Sequence, residues 1–249
     1  MRSTLVSDAH LSGLDDPNQA ALVEFLETWP TDEWVLVGDI FDVWWGFDRA
    51  VFSAFIPVLG AFWRLTRRGV RVVVVPGNHD FYAGPALPEL GVDVLNPWAR
   101  VDGGLRIIAA HGDVADDRAR QRILTRAFQS RATALAIELL GPSVSWRAMR
   151  RVSNWSRTDR KEPHCPELMR LQARWVDQRL GSEADVVCIG HSHAPGIEER
   201  PQGMLVNIGD WMHHRSFAVV DDGIELYRWK DGKHTPLSGP PERRPWARS

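Results

Sequence analysis

Five short clusters of metal-binding and acid–base side chains punctuate this chain: Asp8-Ala-His10, Gly38-Asp39-Ile-Phe-Asp42, Gly77-Asn78-His79-Asp80, His111-Gly-Asp113 and Gly190-His191-Ser-His193. Asp8 and His10 sit two residues apart, so from an extended segment they point the same way and can chelate one ion. Asp39 is the natural bridging carboxylate for a pair of divalent metals held about 3.5–4 Å apart. Asn78 supplies a neutral oxygen and His111 an imidazole, while His191 and His193, again at i, i+2, could serve one ion each. The set contains no thiolate, and such hard-to-intermediate donors suit Mn²⁺ first, with Fe²⁺ and Zn²⁺ also compatible. A metal pair of this kind activates a water and clamps the oxygens of a phosphate ester for in-line attack on phosphorus. His79, beside Asn78, is placed to protonate the leaving oxygen, with Asp80 expected to orient its imidazole. Asp42 is either a direct participant or a support behind the ligands. Asp113 is either a partner for a histidine or a helix start.

Read singly, each cluster has a bland explanation. An Asp-x-His pair is commonly a surface accident, and Gly-Asn-His-Asp is commonly a turn. Their order and setting change the reading. Four of them directly follow an apolar, β-branched run: Val35–Val37, Val72–Val75, Ile107–Ala110 and Val186–Ile189. The first follows Leu5-Val6. Such runs read as buried strands, and α/β sheets gather ligands beyond the carboxyl ends of their strands. Five polar clusters at five strand ends therefore imply one site.

The elements that must carry this site alternate. Strands are expected over Thr4–Val6, Trp34–Val37 and Val70–Val75, with helices over Pro17–Trp29 and Ala50–Arg67, the second interrupted by Pro57. Short strands follow at Val92–Leu95, Ala99–Val101 and Leu105–Ala110. From 116 to 180 no strand is evident, and helices broken at Gly141-Pro142 and near Pro163–Pro166 are expected. Asp185–Ile189 resumes the sheet. Gly203–Ile208, Ser216–Val220 and Ile224–Trp229 then read as antiparallel strands, with Asp221-Asp222-Gly223 as a hairpin turn. The organisation is an α/β core over 1–115 and 183–230, a helical insertion over 116–182, and a polar, Pro- and Arg-rich tail over 231–249 expected to be disordered. No internal repeat is evident.

The insertion is basic in a chain whose formal charge is only -2. Between Arg118 and Lys161 its arginines are opposed by just Glu138 and Asp159, and Leu135, Leu139, Leu140, Trp146 and Trp155 are interspersed. Arg118, Arg122, Arg157, Arg160 and Lys161, with Trp44 beside the Asp39 cluster, are the candidate substrate contacts. The bland alternative is a solvated helix surface.

The 249-residue length fits one large domain with an insertion. Cys165 in a polar loop and Cys188 in an apolar strand do not suggest a disulfide framework, which fits a reducing compartment. No apolar stretch precedes Asp8 that could serve as a secretory signal, and none elsewhere is long enough to span a bilayer. The abundant tryptophans are expected to be mostly structural, with exposed ones able to form a lipid-facing surface.

These residues in this order resemble the calcineurin-like metallophosphoesterase superfamily, from Leu5 to about Trp229. The resemblance implies a four-layer α/β/β/α sandwich of two mixed sheets with a helical lid. It implies a first metal held by Asp8, His10, Asp39 and His193, and a second held by Asp39, Asn78, His111 and His191. Within the superfamily, Gly38-Asp-Ile-Phe-Asp-Val-Trp44, His111-Gly-Asp113 followed by Asp116-Asp117, the helical insertion, and Gly209-Asp210-Trp211 are similar to the UDP-2,3-diacylglucosamine hydrolase family of lipid A synthesis. That resemblance implies cleavage of a nucleotide-diphospho-lipid to UMP and diacylglucosamine 1-phosphate, in the cytoplasm or peripherally at the inner membrane, with no nucleic acid and no obligate protein partner. The best-known members carry arginine where this chain has His79. His79 is what most other metallophosphoesterases have, so a phosphodiesterase or phosphatase acting on a soluble nucleotide or another phosphorylated metabolite is the alternative. A scaffold without catalysis would be expected to have lost ligands.

Overall fold

The structure is a computed structural model that describes residues 1–115, 131–158 and 166–237. Its elements in chain order are β1 (Ser3–Val6), α1 (Pro17–Thr28), β2 (Glu33–Val37), β3 (Trp44–Trp45), α2 (Ile56–Arg67), β4 (Arg71–Val75), β5 (Asp80–Tyr82) and α3 (Ala86–Glu89). They continue as β6 (Asp93–Val94), β7 (Trp98–Asp102), β8 (Leu105–Ala109), α4 (Arg131–Thr158), α5 (Pro166–Asp177) and β9 (Val186–Ile189). The last are β10 (Gly196–Arg200), β11 (Gly203–Asn207), β12 (Ser216–Val220), β13 (Ile224–Lys230) and β14 (Lys233–Pro236).

Two mixed sheets form the centre, ordered β14-β13-β12-β1-β2-β4-β6 and β10-β11-β9-β8-β7. Their facing sides bury Leu5, Val35, Val37, Val73 and Val75 against Trp98, Ile107, Val186, Cys188 and Val206. The alternate residues of the same strands point the other way, as the pleat requires. On the first sheet Val6, Leu36 and Val74 meet Leu22, Phe25 and Phe62 of α1 and α2. On the second, Ile108, Val187 and Ile189 meet Val176 of α5 and Leu180 just beyond it. The strands apolar on both faces are those covered on both sides. The architecture is therefore the expected α/β/β/α sandwich. Helix α5 fell within the expected insertion, but it packs as the fourth layer.

Several expectations are corrected. Pro57 does not interrupt a helix running from Ala50. A 3-10 turn at Ser53–Phe55 precedes α2, and Pro57 occupies the first turn of α2, where its missing N–H costs nothing. Strand β11 does not pair antiparallel with the strands after it. It runs parallel to β9 and antiparallel to β10, so the chain changes sheet between β11 and β12. Part of the expected disordered tail is ordered, because Lys233–Pro236 forms a hairpin strand on β13. Three more strands went unread: β10, and the short β3 and β5, which pair with each other in a small separate sheet. The break at Gly141 is found inside α4, where that residue has φ 71°.

Candidate metal centre

All five clusters lie at the carboxyl ends of β1, β2, β4, β8 and β9, and they converge. The chain turns sharply there. Asp8, His10, Asp39, His191 and His193 all have positive φ, between 43° and 67°. That left-handed region is costly for residues with a Cβ and concentrates at functional sites. Hydrogen bonds hold the turns: Asp8 N–H donates to Gly38 O at 3.1 Å, and His10 N–H donates to Asp39 O at 2.9 Å. Gly77 permits the close approach of the third cluster, since a Cβ there would lie 2.4 Å from Asp39 Oδ1.

Three groups of ligand atoms form, each with its members within 4.8 Å: Asp8, His10 and His193; Asp39, His111 and His191; and His10, Asp42 and His79. Asp39 Oδ2 connects them, at 3.3 Å from His111 Nε2 and 3.7 Å from His10 Nε2. Asp8 Oδ1 lies 3.1 Å from His193 Nε2. Asp8 Oδ1, Asp39 Oδ2, Asn78 Oδ1, His111 Nε2 and His193 Nε2 are buried without a hydrogen-bond partner. Buried lone pairs left unsatisfied are costly, and several aimed into one space call for a cation. The donor set thus fits a divalent metal centre.

The other atoms of these side chains are occupied, which aims them. His111 Nδ1–H donates to Val37 O at 3.1 Å, leaving Nε2 as the inward atom. Asp39 Oδ1 accepts the His79 backbone N–H at 2.8 Å. Asp8 Oδ2 accepts the His191 backbone N–H at 2.9 Å and also meets the Ser7 hydroxyl. Burial pushes His10 down, to about 4, so it is a neutral imidazole ready to ligate. Burial also opposes ionisation of Asp8 and Asp39, yet their histidine neighbours outweigh it and hold both carboxyls well below the usual range.

His79 is buried against this centre, its ring centroid 4.8 Å from that of His10. Its Nδ1 lies 2.7 Å from the main-chain oxygen of Asp42. A carbonyl only accepts, so Nδ1 carries the hydrogen and Nε2 faces Asp39 Oδ2, 4.0 Å away. The expected orienting role of Asp80 is therefore corrected. Asp80 Oδ2 instead accepts the backbone N–H groups of Gly77 and Asp39, bracing two clusters. Burial, with Asp39 nearby, pushes Asp80 up to about 7.

Among the expected substrate contacts, Trp44 is also corrected. It is 1% exposed, stacks on Phe41 at 4.5 Å, and spends its indole N–H on Ala83 O at 3.1 Å. Arg118, Arg122, Arg160 and Lys161 lie outside the described residues. Arg157 lies in the last turn of α4, with its side chain outside them too. Three supports were not read from sequence. Gln172 of α5 donates to Gly190 O at 3.0 Å. Trp211 N–H donates to Ser7 O at 3.0 Å. Arg150 reaches Asp42, with Nε 4.0 Å from Oδ2. Trp211 belongs to the Gly209-Asp210-Trp211 block already singled out, though not for this contact, while Gln172 and Arg150 lie on helices away from the polar clusters, so nothing local marks their roles.

Among the described residues no helix is long and apolar enough to cross a membrane. A sequence profile described as calcineurin-like phosphoesterase matches residues 1–195, which contain all five clusters. The UDP-2,3-diacylglucosamine hydrolase of Shewanella pealeana is 28% identical over 248 residues, covering 94% of this chain and 100% of that protein. Its counterpart from Neisseria meningitidis serogroup C is 28% identical over 228 residues, covering 86% of this chain and 91% of that one. The structure of Yfce, a phosphoesterase from E. coli, is similar with a TM-score of 0.49 at 15% identity, covering 96% of this chain and 100% of that chain.

Proposed function

We propose the bond cut by a chain that belongs to the calcineurin-like phosphoesterase family and is, with that family, a metal-dependent phosphoester hydrolase. The bond is the pyrophosphate of a nucleotide-activated lipid. The substrate is UDP-2,3-diacylglucosamine, and the products are UMP and 2,3-diacylglucosamine 1-phosphate. The observation that carries this reading is the extent of the likeness to hydrolases of that name. It runs through 94% of this chain and all of the Shewanella pealeana protein, so it is not confined to the metal clusters common to the wider family.

In this reading Asp8, His10, Asp39 and His193 would hold one ion, and Asp39, Asn78, His111 and His191 would hold the other. Divalent ions bound there, Mn²⁺ best by donor chemistry, would supply activation of a water and charge withdrawal from the phosphate oxygens. His79 protonates the leaving oxygen from Nε2, while the Asp42 carbonyl keeps Nδ1–H in place. Asp80 braces the Asp39 and Gly77 turns. The insertion expected over 116–182, apart from α5, would serve as the lid, its arginines meeting the diphosphate and its apolar side chains the acyl groups. The enzyme works from the cytoplasm on a lipid presented at the inner membrane surface, without nucleic acid or an obligate protein partner.

A second reading is favoured by one residue. His79 stands where the best-known lipid hydrolases carry arginine, which suits a phosphodiesterase or phosphatase acting on a soluble nucleotide or related metabolite. One assay separates the two. With Mn²⁺, UDP-2,3-diacylglucosamine, p-nitrophenyl phosphate esters and cyclic nucleotides are compared at equal concentration. The lipid reading expects the highest kcat/KM on the diacyl substrate. A cyclic nucleotide or nitrophenyl ester turned over faster than the lipid would replace it with the second reading.

A further inference from the structure

Two contacts of Asp42 join it to different parts of the molecule. Its main-chain oxygen accepts the Nδ1–H of His79 at 2.7 Å. Its carboxylate is fully buried, and the Nε of Arg150 on α4 stands 4.0 Å from Oδ2. Buried carboxylates persist where a cation or hydrogen-bond donors compensate them. Arg150 is itself held in place. Its guanidinium carbon lies 5.5 Å from the ring of Trp146, one turn earlier on α4. That indole packs on Phe52 at 4.7 Å and Phe55 at 5.5 Å, and Phe55 in turn lies 4.7 Å from Phe41, the residue before Asp42. Helix α4 therefore meets the Asp39–Asp42 turn through an aromatic stack and through a charge.

We propose that Asp42 and Arg150 are a positioning couple that sets the aim of His79. Arg150 fixes the carboxylate of Asp42, the carboxylate fixes the backbone at residue 42, and that backbone carbonyl fixes the imidazole. The helical segment 131–158 is thereby registered against the proton donor. This rests on the reading of His79 as donor to the leaving oxygen. In that step the water oxygen bonds to phosphorus and the phosphorus–oxygen bond to the leaving group breaks. The proton from His79 Nε2 ends on the leaving oxygen, and a proton from the water passes to solvent. An imidazole displaced by about 1 Å can lose on the order of 10²-fold in rate.

The test uses the full chain with Mn²⁺ and two esters of uridine 5′-monophosphate, the phenyl and the p-nitrophenyl. Phenolate needs a proton to leave, whereas p-nitrophenolate leaves without one. Arg150→Ala and Asp42→Asn should each lower kcat on the phenyl ester by about 10- to 100-fold, and on the p-nitrophenyl ester by about threefold or less. KM should stay at the wild-type value for both, and metal content should be unchanged in Arg150→Ala. Arg150→Lys should recover most of the loss, and the double variant should be no slower than the slower single one. If Asp42→Asn does not fold, the two substitutions at the 41%-exposed Arg150 side chain carry the test. Equal losses on both esters, or no loss, overturn the couple. His79→Ala is the control. If it shows no preference between the esters, or the wild type cleaves neither, the reading of His79 fails and the couple fails with it. If His79→Ala shows the preference and Arg150→Ala does not, the couple alone fails.

Discussion

Asp39 Oδ2 stands 3.3 Å from His111 Nε2, and both side chains are fully buried. His111 cannot turn away, because its other nitrogen is bonded to Val37 O. Burial alone would push His111 down, but the carboxylates of Asp39 and Asp8 outweigh it and hold the ring well above its usual value. His193 is likewise raised against its burial, with Asp8 the leading cause. A proton and a metal ion would therefore contend for the same inward nitrogens of His111 and His193.

Metal and proton should accordingly compete. Below the raised values of His111 and His193 the imidazoles are protonated, and an ion must displace those protons. Affinity should weaken as pH falls and strengthen as it rises through these values. Calorimetric titration of the metal-free protein with Mn²⁺ in buffers of different ionisation enthalpy should show proton release, greater at pH 6 than at pH 9. Binding without proton release, equally tight at both, would remove these histidines from the ligand set.

Gly77→Ala tests the close approach of the third cluster to the bridging carboxylate. The added Cβ would meet Asp39 Oδ1 at 2.4 Å and Asp39 N at 2.7 Å, and Gly77 does not need a positive φ. The damage should therefore be local: at least one metal lost and activity reduced about 10²-fold or more, with the thermal midpoint of the metal-free protein little changed. Elemental analysis beside a thermal melt checks it. A variant that keeps two metals and full turnover would show that Asp39 is not clamped by the third cluster.

His79→Ala should keep both metals yet slow turnover by about 10²–10⁴, the usual size of an acid–base contribution. His79→Arg should retain more activity than alanine on a diphosphate substrate, because a fixed cation can still stabilise the leaving phosphate. Steady-state kinetics on all three proteins decide the matter. Equal rates for alanine and arginine would leave no electrostatic role at this position.

The centre was legible because its information is local. A buried strand and the polar residue after it are adjacent in sequence, so Val72–Val75 followed by Asn78 and His79 reads directly. The supports were not legible, because they depend on which backbone atom ends up where. The Asp42 carbonyl orients His79, and a carbonyl has no residue-type signature. The neighbouring carboxylate of Asp80 was the obvious candidate but is consumed by Gly77 and Asp39 backbone groups. Gln172 reaches Gly190 across 18 positions from a helix that reads simply as amphipathic. The parallel pairing of β11 with β9 was hidden for a similar reason: an apolar run marks a strand but not its sheet. Positive φ at Asp8 and His191 is imposed by the converging turns, since neither residue type requires it.

The lipid reading makes a graded prediction. Ile137 and Met149 of α4 are buried in the cluster that contains Trp44 and Phe55, so this helix is seated on the body of the protein beside Asp42. Leu139, Leu140 and Val144 on the same helix are exposed, a poor arrangement in water that an acyl chain or a bilayer surface would relieve. Each acyl methylene taken from water contributes about 0.8 kcal/mol, close to fourfold in binding. Shortening both acyl chains of the substrate by two methylenes should then lower kcat/KM by roughly 10²-fold while the chains remain within reach of the protein. The loss should appear mainly in KM, because the chains are remote from phosphorus. Measured below the critical micelle concentration with fixed detergent, the series isolates protein contacts from substrate dispersion. A flat series would mean that no apolar surface grips the lipid, and the soluble phosphodiester would become the better substrate class.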